Sequence, residues 1–130
     1  MFVKADIQKI IEKYSNQMIY SPEKNGMDCL RDKAYYHSYD TIYPELLEKY
    51  LNKDNLNILE IGVYYGGSLL AWNEIFPNSN IYGIDNDFSR LKVDIKKPNI
   101  KLYEMEQCDE KIIDIFKDIK FDIIIDDASH

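Results

Sequence analysis

Residues 57–72 read NILEIGVYYGGSLLAW, and this stretch decides the fold class. An apolar run at residues 58–61 stops at Gly62, and a turn containing Gly66 and Gly67 follows. Ser68 can then cap a helix whose apolar residues recur at helical spacing. The stretch therefore predicts a buried strand, a glycine turn and a helix that packs back on the strand.

The same alternation continues to the last residue. Further strands are predicted at residues 81–84, 100–103 and 121–125, with a short polar helix or turn at 88–95 and a helix after Asp109. Strands that alternate with helices are typical of a parallel sheet, and right-handed crossovers give these four strands the order 3-2-1-4. The predicted fold class is α/β, a Rossmann-like doubly wound parallel sheet that is incomplete at about four strands.

Two N-terminal helices are predicted ahead of the sheet. The first carries an apolar stripe, and residues 21–40, which include His37 and Tyr39, lack periodicity and are predicted to form a long binding loop or lid. A second helix follows this loop. The expected division is helices and active-site loop at 1–54, and a partial cofactor-binding domain at 55–130. The stripe of the first helix is Ile7, Ile10, Ile11, Tyr14 and Met18, and the face of the second is Ile42, Tyr43, Leu46, Leu47, Tyr50 and Leu51.

Composition restricts the partners. The chain has 130 residues, of which 45% are hydrophobic, and a net charge of −7. An acidic surface repels phosphates, so nucleic acids and anionic membranes are disfavoured, and a small molecule or glycan is expected instead. No apolar run approaches the roughly 20 residues that span a bilayer. The first residues do not resemble a signal peptide, so a cytoplasmic location is expected.

The glycine turn excludes some ligands. Gly62 and Gly67 match the first and last glycines of the dinucleotide fingerprint, but Tyr64 occupies the place where a pyrophosphate approaches the backbone. This disfavours a nicotinamide-dependent oxidoreductase, and the turn also lacks the Lys-Ser/Thr ending of a phosphate-binding loop. A ligand without phosphates is allowed. The alternative is a turn that only packs helix against strand.

Two acidic strand ends indicate chemistry. Asp85 ends the second predicted strand, where a carboxylate can accept hydrogen bonds from a ribose diol; alternatively it is a turn aspartate. Asp127 could hold a Mg²⁺ or Ca²⁺ ion that polarises a hydroxyl, and His130 could remove its proton. The alternative is that Asp126 and Asp127 cap a further helix and His130 is solvated.

Together these motifs resemble class I S-adenosylmethionine-dependent methyltransferases, and more narrowly the metal-dependent macrocin and mycinamicin type, which methylate sugar hydroxyls. The cephalosporin-hydroxylase-like group shares the glycine turn. The resemblance rests on residues 57–87, on FDIIIDDASH at 121–130 and, upstream, on Asp32-Lys33, His37, Tyr39 and Tyr43.

The resemblance implies a role for each matched residue. Asp85 is expected to bind the ribose hydroxyls, and Glu106 to replace a family aspartate near the adenine. Asp127 is the implied metal ligand and His130 the implied catalytic base, with His37 and Tyr39 on an active-site loop. The implied cofactor-binding residues are Glu60, Gly62, Gly66, Gly67, Ser68, Asp85, Glu106 and Asp126.

The implied function is an S-adenosylmethionine-dependent O-methyltransferase that acts on a sugar or small-molecule hydroxyl with Mg²⁺ or a similar cation. The family has further strands after the position of His130, so the chain is expected to be the cofactor-binding half of a larger fold. The alternative is a non-catalytic cofactor-binding remnant, or a partial domain whose sheet is completed by a partner chain or a second copy.

Overall fold

The computed structural model describes residues 2–15, 18–21, 26–29, 39–63, 66–91, 95–106 and 108–126. Short 3₁₀ turns occupy Glu48–Tyr50 and Phe88–Arg90. The helices and strands, in chain order, are α1 (Lys4–Ser15), β1 (Met18–Ser21), β2 (Gly26–Cys29), α2 (Tyr39–Leu47), β3 (Asn57–Ile61), α3 (Gly67–Ile75), β4 (Asn80–Asp85), β5 (Ile100–Glu104), α4 (Lys111–Phe116) and β6 (Ile123–Asp126).

The main sheet has the strand order β5-β4-β3-β6, and every neighbouring pair is parallel. This confirms the predicted order 3-2-1-4. The chain moves outward from β3 through β4 to β5 and then returns to the other side of β3. The strand order therefore reverses between β3 and β6, where ligands bind in sheets of this kind.

The two faces of the sheet have separate cores because neighbouring residues of a strand point to opposite sides. Ile58 and Ile81 belong to the larger core, which also holds Trp72 of α3. Leu59 and Tyr82 belong to the smaller core with Phe116 of α4. The two central strands, β3 and β4, are thus buried on both faces, as in a parallel sheet covered by helices, whereas Ile124 of the edge strand β6 is 60% exposed.

The N-terminal helices share the larger core with the sheet. Ile7, Ile10 and Ile11 of α1 are buried as the helical stripe predicts, and Tyr43 of α2 joins the same cluster. Since α1 packs on both α2 and α3, the helices form a layer over one sheet face. The domain boundary at 54/55 stays a prediction.

The structure corrects two predictions around the loop at 21–40. β1 and β2 form an antiparallel ribbon, so Gly26–Cys29 is a strand within the predicted loop, and Met18, which pairs with Cys29, does not continue α1. Tyr39 begins α2 instead of lying in the loop. Such a two-stranded ribbon is held by backbone hydrogen bonds, so its sequence need not alternate. Leu46, predicted on the buried face of α2, is 58% exposed.

β6 begins two residues later than predicted, at Ile123. Phe121 precedes the strand and packs edge-on against Tyr82 and Phe116. Asp122 is joined to Asn57 twice: its N–H donates to the Asn57 carbonyl and its carboxylate accepts from the Asn57 N–H, each at 2.9 Å.

Among the described residues, no helix has the length and apolar composition needed to cross a membrane.

Candidate active site at the carboxyl ends of the strands

The glycine turn lies between β3 and α3, and the described parts of it have a backbone that favours glycine. Gly62 has φ 90° and Gly66 has φ 93°, in the left-handed region that side chains with a Cβ disfavour. The N–H of Gly62 donates to the carbonyl of Ile84 at 2.9 Å. The chain thus stays hydrogen-bonded to β4 as it leaves β3, and then turns into α3.

Glu60 is a buried carboxylate just before this turn, with an exposed fraction of 0%. Its Oε1 accepts a hydrogen bond from the Ser68 hydroxyl and its Oε2 accepts one from the Trp72 indole N–H, each 2.5 Å long. A buried carboxylate requires such donors. The predicted capping role of Ser68 is wrong: Gly66 is the N-cap of α3, without a side-chain cap bond, and Ser68 binds Glu60 instead.

Asp85 lies at the end of β4 and contacts the glycine turn directly. Its Oδ2 accepts a 2.9 Å hydrogen bond from the N–H of Val63, and its Oδ1 accepts a 3.1 Å bond from the N–H of Asp87. Asp85 therefore holds the glycine turn against the end of β4.

The end of β5 continues this edge with further acidic groups. The Glu106 side chain is exposed and accepts a 3.3 Å hydrogen bond from the amide of Asn86. Glu104 accepts one from the N–H of Phe88, and the N–H of Met105 donates to the carbonyl of Asp85 at 2.9 Å. Glu106 thus follows the end of β5, the strand beside the one that Asp85 ends.

β6 brings a carboxylate to the same edge. Asp126 ends this strand, is exposed, and lies opposite Ile61 of β3 in the parallel register. Asp127, His130 and His37 lie outside the described residues, as does the side chain of Tyr39. In the described ranges, no group of three or more His, Cys, Asp or Glu side chains is arranged to hold a metal ion.

The structure therefore brings together the predicted residues of three strand ends. Residues 60, 62 and 66–68 surround the turn, Asp85 touches it, and Asp126 lies on its other side. The sequence did not reveal that Trp72 binds Glu60. The available signal was the spacing of four between Ser68 and Trp72, which places both donors on one helix face.

Comparisons with known proteins find relatives of this chain, although no family model matches it. A mycinamicin VI 2''-O-methyltransferase of Micromonospora griseorubida is 31% identical over 106 residues, which are 75% of this chain. An apo structure of CmcI aligns with TM-score 0.60 and 25% identity over 85% of this chain. A MycE methyltransferase complex with Mg, SAH and mycinamycin VI aligns with TM-score 0.54 and 34% identity over 72% of it.

The chain spans only part of these proteins. It covers 26% of the mycinamicin methyltransferase, 49% of the CmcI chain and 27% of the MycE chain. The sequence identity and the fold together make this chain a relative of the Rossmann-like, S-adenosylmethionine-dependent methyltransferases of the mycinamicin type.

Proposed function

We propose that this chain binds S-adenosylmethionine across the carboxyl ends of β3 and β4, as the cofactor-binding part of a metal-assisted O-methyltransferase for a sugar or small-molecule hydroxyl. One observation carries the proposal. The bond between the Val63 N–H and Asp85 places a glycine turn directly against the acid that ends the neighbouring strand. Such a pair suits an adenosine-bearing ligand.

The proposed cofactor contacts follow the sheet edge. The turn has three glycines, Gly62, Gly66 and Gly67, which let the methionine portion approach its backbone closely. Glu60 and Ser68 set the shape of the turn from its buried side. Asp85 accepts from the ribose hydroxyls, Glu106 lies toward the adenine, and Asp126 borders the pocket from β6. S-adenosylmethionine has no phosphates, so Tyr64 in the turn is compatible with it. Because methyl transfer is an in-line displacement, positioning supplies much of the catalysis.

The proposed substrate side lies beyond β6. Asp126 supports this placement, because it is an exposed carboxylate that β6 delivers to the edge beside the turn. Asp127 follows it as the proposed ligand of Mg²⁺, a cation that prefers oxygen ligands. When bound, the cation favours ionisation of the acceptor hydroxyl. His130 takes the proton, and His37 and Tyr39 lie near the acceptor.

The proposal includes a cytoplasmic location and a small-molecule or glycan substrate. The net charge of −7 disfavours nucleic acids and anionic membranes as partners. A homo-oligomer or a partner chain that completes the sheet beside β6 is compatible with the same site. A non-catalytic cofactor-binding role is the competing proposal.

Calorimetry with S-adenosylhomocysteine and NADH, followed by methyl-transfer assays, tests the proposal. Wild-type protein should bind S-adenosylhomocysteine and not NADH, and should methylate a mycinamicin-type macrolide when Mg²⁺ is added. Asp127→Asn and His130→Ala should abolish methyl transfer and retain cofactor binding. Absence of binding at millimolar cofactor overturns the proposal, and binding without turnover on a panel of glycosylated acceptors favours the non-catalytic alternative.

A further inference from the structure

The buried carboxylate of Glu60 forms a cluster with two donors of α3, Ser68 and Trp72, which we name the Glu60 clamp. Both carboxylate oxygens accept a hydrogen bond from α3, and the side chain has no exposed surface. Trp72 is 1% exposed. The charged group of Glu60 is therefore held out of solvent, between the sheet and α3.

The clamp joins the two sides of the glycine turn. Glu60 is two residues before Gly62, while Ser68 and Trp72 lie in α3 beyond the turn. The turn itself has positive φ values at Gly62 and Gly66, which glycine adopts without a steric penalty. Because glycine has more conformational freedom than any other residue, a turn built on two glycines keeps one geometry only when its surroundings fix it. The two hydrogen bonds supply such a constraint, because they fix α3 against β3 across the turn.

Packing around the clamp sets its geometry. The Tyr43 ring of α2 meets the Trp72 ring edge-on, with centroids 5.0 Å apart and an interplanar angle of 89°. Gly83 lies opposite Glu60 on β4. A Cβ at Gly83 would come within 3.0 Å of Val63 Cγ2, so the missing side chain leaves room for the turn beside the clamp. The contact with Tyr43 of α2 therefore helps to orient the Trp72 indole, whose N–H donates to Glu60.

We propose that Glu60 is a positioning residue, which sets the glycine turn through Ser68 and Trp72 and does not contact the cofactor with its charge. This inference rests on the proposed function, which supplies S-adenosylmethionine as the ligand. It differs from a direct role, in which the carboxylate would bind the cationic amino group of the methionine portion. The two roles respond differently to loss of the negative charge.

Replacement of Glu60 by glutamine separates the two roles. The introduced amide oxygen can accept from the indole N–H, and the introduced NH₂ can donate to the Ser68 hydroxyl, which is able to accept. Glu60→Ala instead leaves both donors of α3 unpaired in the core. Positioning therefore predicts that Glu60→Gln stays within about threefold of the wild-type Kd for S-adenosylhomocysteine, whereas Glu60→Ala weakens binding by about tenfold or more.

Trp72→Phe is the second arm, because it keeps the carboxylate and removes one donor. We expect Trp72→Phe to weaken S-adenosylhomocysteine binding, as Glu60→Ala does. Ile75→Val is the matched control: it shortens a buried apolar side chain of the same helix, which has no polar group to donate to Glu60, so it should lower stability and leave the Kd unchanged. Thermal denaturation of every variant separates loss of folding from loss of binding.

Amide hydrogen exchange supplies a readout without ligand. The Gly66 N–H donates to Val63 and the Leu70 N–H donates to Gly66. Protection of these two amides should persist in Glu60→Gln and fall in Glu60→Ala and Trp72→Phe. Equal loss of affinity in Glu60→Gln and Glu60→Ala, or wild-type affinity and protection in Trp72→Phe, overturns the positioning role. Absence of binding by the wild type overturns the proposed function instead, and exchange still decides the role of Glu60 in the turn.

Discussion

The backbone N–H of Val63 donates a 2.9 Å hydrogen bond to the Asp85 carboxylate, 22 residues away in the chain. Val63 follows the first glycine of the turn, and Asp85 ends the neighbouring strand. The bond gives Asp85 a structural role that does not depend on a ligand. Its two oxygens accept from two backbone donors, at Val63 and Asp87, so the turn and the strand end are fixed as one unit.

Asp85→Asn should therefore lower both stability and cofactor affinity. The amide retains one acceptor oxygen, and its NH₂ group must face either the Val63 or the Asp87 N–H. We expect a loss of about 1 kcal/mol in the free energy of unfolding by urea, since Asp85 is only half-buried. Asp87→Asn is the matched control, because an Asn carbonyl still accepts from the Ser89 N–H. Equal stability of the two variants would contradict the bracing role of Asp85.

Gly66→Ala should destabilise the protein through its backbone. Gly66 has φ 93°, where a Cβ costs about 1–2 kcal/mol. Gly67 is the first residue of α3 and has no positive φ. Gly67→Ala should therefore escape this penalty. Urea denaturation of the pair measures the difference in unfolding free energy. If Gly67→Ala is as damaging as Gly66→Ala, side-chain crowding and not the left-handed backbone explains the requirement for glycine.

Gly83→Val should disturb the packing of β4 against the glycine turn and lower the free energy of unfolding. A Cβ at this position would lie 3.0 Å from Leu102 Cδ2 and from Val63 Cγ2. Overpacking of this kind costs about 1–3 kcal/mol. Leu102→Ala in the same chain should recover part of the loss, because it removes one of three close contacts, the third being Leu69 Cδ1 at 3.2 Å. A double-mutant cycle by chemical denaturation checks the coupling, and strictly additive effects would show that the two positions do not clash.

Alkaline pH should weaken the contact between α1 and α3. The Lys13 Nζ donates to Glu74 at 2.7 Å, which raises the pKa of Lys13 above its ordinary 10.5. Burial raises the pKa of Tyr14 above 10.0, and the Glu74 charge raises it further. Both groups hold their proton more tightly in the folded state. Their contribution to stability is therefore complete below the unfolded pKa values and is lost as pH rises through the folded ones.

Thermal denaturation between about pH 8 and pH 11 measures this loss. Glu74→Gln removes the charge that acts on both groups, so its melting temperature should fall less steeply with pH than that of the wild type. Other lysines and tyrosines titrate in both proteins and cancel in the comparison. Parallel pH profiles would show that Glu74 does not couple to the two groups.

The sequence by itself determined the order of the strands and the edge at which the site lies. Short apolar runs, the 3.6-residue period of the helices, the glycine turn and the acidic strand ends are local features. They predict elements and their order because each element must bury its own apolar surface. The sequence alone therefore places Gly62, Asp85 and Asp126 at one edge. The roles of Asp127, His130 and His37 stay predictions.

Only the tertiary structure decided which polar groups meet. Ser68 looked like a helix cap, yet it donates to Glu60, because the packing of α3 on β3 brings both together around a buried carboxylate. Asp85 accepts from Val63 through the register of β3 and β4. A sequence pattern specifies which face of an element is apolar. The pairing of a donor with an acceptor depends on the rotation and register of two packed elements, and these are fixed only when the whole core closes.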